Sequence, residues 1–544
     1  MAVTRESEVE ALRHGRFDLL VIGGGATGAG TALDAASRGL RVALVERDDF
    51  SSGTSSRSTK LIHGGVRYLE QAVKHLDASR INAVNAALRE RAVMLRIAPH
   101  LTRALPFLTP IYRWYRLPYY YAGFKLYDLL AGRFNATPGS LISAREARSR
   151  FPMLTGRRLK AGLIYYDGQF DDARMNLSLA LTARQYGATI ANHLEVRGFE
   201  KRSSLIRAIF VHDHTTGEEW EVHAQVVVNA AGPFADLVRK LDDPQANPLL
   251  NPSAGAHIVL DKRFCPNDLA LLIPRTSDGR VVFMLPWMGM TLAGTTDSPA
   301  AVDFHPRTTQ EEIDYLLHEL SAYLETPIKR SDIKAAWSGL RPLVDAAQSA
   351  DTAALPRDHV VHVSRSGLIT VAGGKWTTYR RMAKDAVDRA IEIADLKPRR
   401  SCVTDHLMLL GAQELNGYDA KMTPPQDSLK HWHDLPDDVV THLESAYGDR
   451  APGIAAIARR GYAARLAQEF PYIEAEVLWA AREEMACTVM DVLARRTRLA
   501  FLDNGAADAA IARVSELLAE ALNWDTRKSA LERDAARQRL SQGL

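Results

Sequence analysis

FDLLVIGGGATGAGTALDAASRGLRVALVE, residues 17–46, is the stretch from which the fold can be read. Phe17 to Ile22 is a short apolar run of the kind that forms a buried parallel strand. Gly23-Gly24-Gly25-Ala26-Thr27-Gly28 follows at once and matches G-x-G-x-x-G. A helix rich in small residues comes next, closed near Gly39, and Arg41 to Val45 forms a second strand that ends in Glu46. Glu46 stands eighteen residues beyond Gly28, close to the ~20 at which an acidic residue meets an adenosine ribose. Gly23 permits the tight turn, Gly25 admits a pyrophosphate close to the backbone, and Gly28 lets the helix pack on the strand. Gly24 and Thr27 complete the loop, and the helix N-terminus offers N–H groups and partial positive charge to an anion. The unit predicts a doubly wound α/β dinucleotide-binding domain in which Glu46 favours an unphosphorylated ribose by charge repulsion.

The remainder of the chain sets bounds. At 544 residues and roughly 150 residues per domain, two to four domains are expected. A hydrophobic fraction of 46% with 24% charged residues excludes a disordered chain, a fibrous protein and a multi-span membrane protein. Lys+Arg 68 against Asp+Glu 65 leaves +3, too balanced for a protein that binds nucleic acid by neutralising phosphates. The three cysteines, Cys265, Cys402 and Cys487, lie far apart without a C-x-x-C pair, against a disulfide framework, a zinc ribbon or a dithiol redox centre. The first sixteen residues lack an apolar h-region and no run reaches about 18 apolar residues. The expected location is therefore the cytoplasm, or the cytoplasmic face of the membrane. His212-Asp213-His214 and His431-Trp432-His433-Asp434 lack third and fourth ligands at zinc spacing, so no metal is expected.

No second glycine fingerprint lies mid-chain, which leaves a flavoprotein with one fingerprint, holding FAD and taking electrons directly from its substrate. Residues 48–70, DDFSSGTSSRSTKLIHGGVRYLE, are dense in Ser, Thr and Gly and read as a loop able to donate along an extended cofactor, with Thr54, Ser55 and Ser58 as candidates. Val226 to Val228 ends in Asn229-Ala230-Ala231-Gly232-Pro233, where Ala230 and Gly232 permit close approach. Leu368 to Ala372 is broken by Gly373-Gly374-Lys375 before Trp376-Thr377 and a helix bearing Arg380, Arg381 and Lys384. That second strand–glycine–helix junction is expected to face the electron-rich edge of a reduced flavin. Residues 281–297 read as an apolar hairpin turning near Gly289. Arg341 lies in apolar AAWSGLRPL, so an anionic ligand or a structural Arg–Asp pair must satisfy it. From about residue 400 the composition turns to Ala, Leu, Arg and Glu at helical spacing, a separate helical domain.

Taken together, GGGATGAG, TSSRSTKLIHGGVRYLE, NAAGPFAD, AHIVL, LPW…GTTD, WSGLRPL, GGKWTTYR and DVLARRTRLAFLD resemble the FAD-dependent, quinone-linked glycerol-3-phosphate dehydrogenases, in order over about nine-tenths of the chain. The resemblance implies a fold of the glutathione-reductase/D-amino-acid-oxidase type. Its FAD domain would span 15–100, 155–240 and 345–395, interleaved with an antiparallel-sheet substrate domain from 101–154 and 241–344, with a helical cap over 400–544. It implies oxidation of sn-glycerol 3-phosphate at C2, with non-covalent FAD flanked by Lys60, Leu61, His63, Gly64, Gly65, Gly374, Lys375, Trp376 and Thr377. Arg67 and Arg341 would hold the phosphate, aided by Tyr68 and Lys375, and His63 or His257 would serve as base. A dioxygen-using oxidase and an amine oxidase of the same fold stay open as alternatives, as does a homodimer. The stretch 106–134, rich in Tyr and Trp and interleaved with Arg113, Arg116 and Lys125, suits a peripheral membrane surface, the place of a quinone, or else an aromatic part of the substrate domain.

Overall fold

The computed structural model describes residues 4–63, 78–131, 138–344, 359–413 and 434–543. Gly64, Gly65, Arg67, Tyr68, His431 and His433 lie outside the described residues. Strand Arg16–Ile22, helix Ala26–Ser37 and strand Val42–Val45 form the expected opening unit. Among the described residues one sheet has eight strands. Its parallel centre runs Ile369–Gly373, Glu219–Asn229, Arg16–Ile22, Val42–Val45 and Thr189–Ala191, and His359–Val363 adds an antiparallel edge. The opening strand has its sequence neighbour on one side and a strand from two hundred residues later on the other. That change of direction is the point at which open α/β sheets bind ligands, beyond the carboxyl ends of the strands.

Helix Ala26–Ser37 is made of small residues because larger ones would not fit. It packs between the sheet, helix Asp172–Gln185 and helix Tyr379–Ala394, and a side chain on Gly30 would meet the Tyr379 ring at 2.8 Å. Asp171 caps helix Asp172–Gln185, and Asp395 closes helix Tyr379–Ala394 in a left-handed conformation.

The second sheet has ten described strands, in the order Ser298–Pro299, Ser253–Leu260, Met290–Gly294, Val282–Trp287, Ala270–Ile273, Thr102–Ile111, Ala161–Phe170 and Leu61–Ile62, with Ile333–Arg341 on Ser253–Leu260 and Ser140–Ser143 on Ala161–Phe170. The hairpin at Val282–Trp287 and Met290–Gly294 turns at Met288-Gly289, both at positive φ. Two features differ from expectation. The sheet is mixed, since Ala270–Ile273 runs parallel to Thr102–Ile111. Strands Leu61–Ile62 and Ala161–Phe170, read as parts of the FAD domain, belong to this sheet, because Ala161–Phe170 pairs with Thr102–Ile111 along its whole length. An apolar run buried on both faces carries no mark of which sheet it joins.

Beyond residue 434 the chain is helical, with helices Asp437–Tyr447, Glu474–Glu483, Asn504–Leu522 and Thr526–Ser541 as its longest pieces. Leu499, Phe501 and Leu502 share one apolar core with Trp287 and Trp337 of the second sheet, so this domain is packed onto the sheet.

A methyl group on Gly28 would run into the Gly23 carbonyl oxygen. Gly28→Ala is therefore expected to destabilise the chain by about 1–3 kcal/mol through overpacking and to weaken flavin retention. Calorimetry showing an unaltered melting transition with full flavin content would contradict this packing account.

Candidate cofactor and substrate site

Helix Ala26–Ser37 has Gly25 at its N-cap and no side-chain cap of its own. The Ala26 N–H donates instead to Ser55 Oγ at 2.9 Å, and Asn176 Nδ2 donates to the Gly24 carbonyl at 2.7 Å. Gly23 sits at φ +106°, and a Cβ there would meet the Ala230 carbonyl oxygen at 2.7 Å. Glu46 accepts from the N–H groups of Gly24, at 2.5 Å, and Asp48, at 2.9 Å. Burial, with the neighbouring charge of Asp48, pushes its carboxyl up to about 7. Bare backbone, hydroxyls and a half-buried carboxylate with acceptor capacity to spare fit the adenosine diphosphate half of FAD: donors for pyrophosphate, an acceptor for ribose hydroxyls.

The hydroxyl-rich loop threads between the two sheets. Thr54 Oγ1 donates to the Leu340 carbonyl at 2.6 Å, and Arg57 Nη1 to the Ser338 carbonyl at 3.0 Å. The Ser55 carbonyl accepts from Trp376 Nε1 at 2.8 Å. Ser55 thus connects the first glycine junction to the second, where Gly373 and Gly374 adopt positive φ and Thr377 is buried. Ser58 donates to Asp172 through both its N–H, 3.1 Å, and its hydroxyl, 2.7 Å. Lys60 is fully buried, and its ammonium donates to Asp172 at 2.7 Å and to the Ser56 carbonyl at 2.6 Å. It lies 4.6 Å from the Trp337 ring centre, and burial lowers its pKa to about 7 against the pull of Asp172. Leu61 is buried in the second sheet, and His63 follows that strand half-buried. Gly232 takes a positive φ at the strand end after Ala230.

Arg341 is not isolated. Its guanidinium donates to Asp297 (3.1 Å), Thr295 Oγ1 (3.0 Å) and the carbonyls of Ala254 (3.1 Å) and Thr296 (2.9 Å). The Arg–Asp pairing is present, in a half-buried setting at the end of strand Ile333–Arg341. A neighbouring strand carries His257, whose Nε2 lies 3.0 Å from Thr59 Oγ1 and whose ring stacks on Trp337 at 4.2 Å. Burial, then the charges of Lys60 and Arg341, hold its pKa well below the ordinary histidine value, so the imidazole is neutral. Lys375 lies in extended backbone just before the turn Trp376–Thr378.

The cations of helix Tyr379–Ala394 face carboxylates: Arg380 pairs with Glu90, Arg381 lies beside Asp385, and Lys384 pairs with Asp388. The aromatic stretch is divided. Trp114, Tyr115, Tyr119 and Tyr121 are exposed, whereas Phe124 is buried against Tyr165 and Tyr112 rests on Tyr323. Among the described residues no helix is long and apolar enough to cross a membrane. Sequence reasoning missed Thr59, Asp172, Asn176 and Asp49. No motif spacing marks them, although the pair Asp171-Asp172 at the start of a helix is a capping signal.

This arrangement is that of a flavin-dependent oxidoreductase, and comparison with known proteins agrees. Residues 18–380 match the family model for FAD dependent oxidoreductases, and residues 402–529 match the C-terminal domain of alpha-glycerophosphate oxidase. The mitochondrial glycerol-3-phosphate dehydrogenases of Bos taurus and Homo sapiens are each 48% identical, over 98% of this chain and 74% of their own. The crystal structure of glycerol-3-phosphate dehydrogenase from Bacillus halodurans complexed with FAD superposes with a TM-score of 0.80 at 28% identity, covering 99% of this chain and 97% of that one. The chain belongs to the FAD-dependent glycerol-3-phosphate dehydrogenase family, and its cofactor is FAD. The relatives are named as mitochondrial proteins, which overturns the cytoplasmic location expected from the sequence.

The raised Glu46 carboxyl links folding to pH. Its contribution is complete below the unfolded value of 4.5 and is lost as pH rises through about 7. FAD-free protein is expected to lose more melting temperature between about pH 5 and pH 8 than its Glu46→Gln variant. Parallel melting curves across that range would remove Glu46 from the account.

Proposed function

We propose that the chain oxidises sn-glycerol 3-phosphate to dihydroxyacetone phosphate and passes the electrons to a membrane quinone. The observation that carries this reading is the 48% identity, over 98% of the chain, to relatives named for that dehydrogenase. When bound, FAD supplies the acceptor for the hydride leaving C2. The chain's own residues bind, orient and deprotonate. Arg341, held in place by Asp297 and Thr295, and Arg67 grip the phosphate with the fixed fork that suits that anion. Tyr68 and Lys375 add donors. His63, or His257 anchored by Thr59, takes the hydroxyl proton. The hydroxyl loop and the two glycine junctions hold the cofactor non-covalently. Exposed Trp114, Tyr115, Tyr119 and Tyr121 beside Arg113 and Lys125 form the peripheral membrane contact.

Anaerobic glycerol 3-phosphate is expected to bleach the oxidised-flavin absorbance, and a quinone analogue to restore it faster than air does. A flavin that stays oxidised overturns the substrate assignment, and faster recovery in air favours the oxidase reading.

Losing a charge-assisted contact costs about 1.5–3 kcal/mol, so Arg341→Ala is expected to raise KM by about 10- to 100-fold with FAD content intact. His257→Gln is expected to lower kcat by about 10²- to 10⁴-fold; a value within a few fold of the parent, with a large loss in His63→Gln, assigns the base to His63. Replacing Trp114 and Tyr115 by Ala is expected to weaken sedimentation with anionic liposomes, and unaltered sedimentation would dismiss the aromatic face as the membrane contact.

A further inference from the structure

The helical domain contributes a feature that the proposed chemistry does not use. Its segment Asp491–Arg498 reaches back across the chain to the cofactor loop. Asp49, completely buried, accepts from Arg495 Nε, from Arg496 at 2.6 and 3.0 Å, and from Asn192 Nδ2 at 2.9 Å. At the other end of the loop, Arg498 donates to the Ser56 carbonyl at 2.8 Å and lies 3.4 Å from Asp172. Asp172 is also the acceptor of Ser58 and Lys60.

The arginines are themselves fixed. Asp491 pairs with Arg495 and with His193, and accepts the N–H groups of Cys487 and Thr488. Arg496 donates to the Glu484 carbonyl at 2.7 Å. The Glu484 carboxylate holds Arg174 at 2.7 and 2.9 Å, on the helix whose Asn176 grips the Gly24 carbonyl. The ring of contacts closes on the glycine loop.

Between the two anchors, Asp49 and Ser56, lie residues that touch both glycine junctions and the Arg341 strand. Ser51 N–H donates to the Gly24 carbonyl, Thr54 reaches the Arg341 strand, and Ser55 joins the helix N-terminus to Trp376. An anchor that acts on both ends of a loop, and on nothing the substrate touches, controls how often the loop is competent to bind. Apparent affinity falls with that fraction.

We propose that Arg495, Arg496 and Arg498 are positioning residues for FAD: the helical domain clamps the Asp48–Lys60 loop in its cofactor-receiving shape and thereby sets the affinity for FAD. The clamp is electrostatic and buried, so removing one partner leaves an uncompensated charge. Replacing an arginine by methionine removes its charge while keeping the apolar stem, so that packing is disturbed least.

The test uses the full-length holoenzyme. Arg496→Met and Arg498→Met are diluted, and released FAD is followed by its fluorescence; melting is measured with and without added FAD. The clamp predicts FAD loss increased by about tenfold or more, activity that returns when FAD is added, and a melting temperature rescued by FAD. A merely structural role lowers the melting temperature equally with and without FAD, and that result overturns the proposal. FAD release within twofold of the parent in both variants overturns it as well. If Arg496→Met does not fold, the charge-balanced pair Asp49→Asn with Arg496→Met is judged by the same two readouts. Because FAD release is read without substrate, failure of the clamp and failure of the glycerol 3-phosphate assignment are separate results.

Discussion

The site depends on one helix end with no cap of its own. At the start of Ala26–Ser37 the backbone N–H groups point out of the glycine turn, and the nearest neutral partner is a hydroxyl, Ser55, from a loop nearly thirty residues on. An acidic cap would have filled the same space and repelled a pyrophosphate, so the chain leaves that end to glycine and to hydroxyls that can share their hydrogen bonds. Much else follows from keeping it open. Small residues let the helix sit deep between sheet and helices, Glu46 crosses to Gly24 from the next strand, and the loop 48–60, whose apolar anchor is the single side chain of Phe50, is otherwise held by polar contacts from outside.

The first fifty residues and the two later glycine junctions were legible because their chemistry is local. A tight turn demands glycine, and a buried parallel strand demands an unbroken apolar run, so the pattern is visible within one window. The pairing of strands Leu61–Ile62 and Ala161–Phe170 with the second sheet could not be read, because nothing in a buried run records its partner. Arg341 shows the same limit in side-chain form: the need for an anion could be read, while Asp297, forty-four residues away, was visible only in space. On helix Tyr379–Ala394 the i,i+4 partners of Arg381 and Lys384, Asp385 and Asp388, stand in the same window of sequence, whereas Glu90, the partner of Arg380, comes from a remote helix.

Charge is handled differently in the two halves of the protein. At the end of strand Ile333–Arg341, the Arg341 guanidinium is kept partly exposed and held by mixed partners, a carboxylate with carbonyls and a hydroxyl, which leaves it in place without cancelling it. Behind the cofactor loop the pairs are buried and closely matched, and Asp49 faces two arginines in an interior where either charge alone would be costly. The first arrangement leaves a cation accessible, and the second holds its charges fixed in the interior.

That buried pairing also has a consequence for the birth of the molecule. Asp49 and Arg496 are separated by 447 positions, so at about 5–20 residues per second a ribosome needs some 20–90 seconds between the one and the other. Throughout that interval the nascent chain carries an early carboxylate, destined for the interior, whose counter-ions do not yet exist. The glycine turn can form as soon as its two strands emerge, but the loop beside it cannot settle until the final tenth of the polypeptide has been made. Cofactor capture is therefore a late event of synthesis, although the motif that announces it comes first.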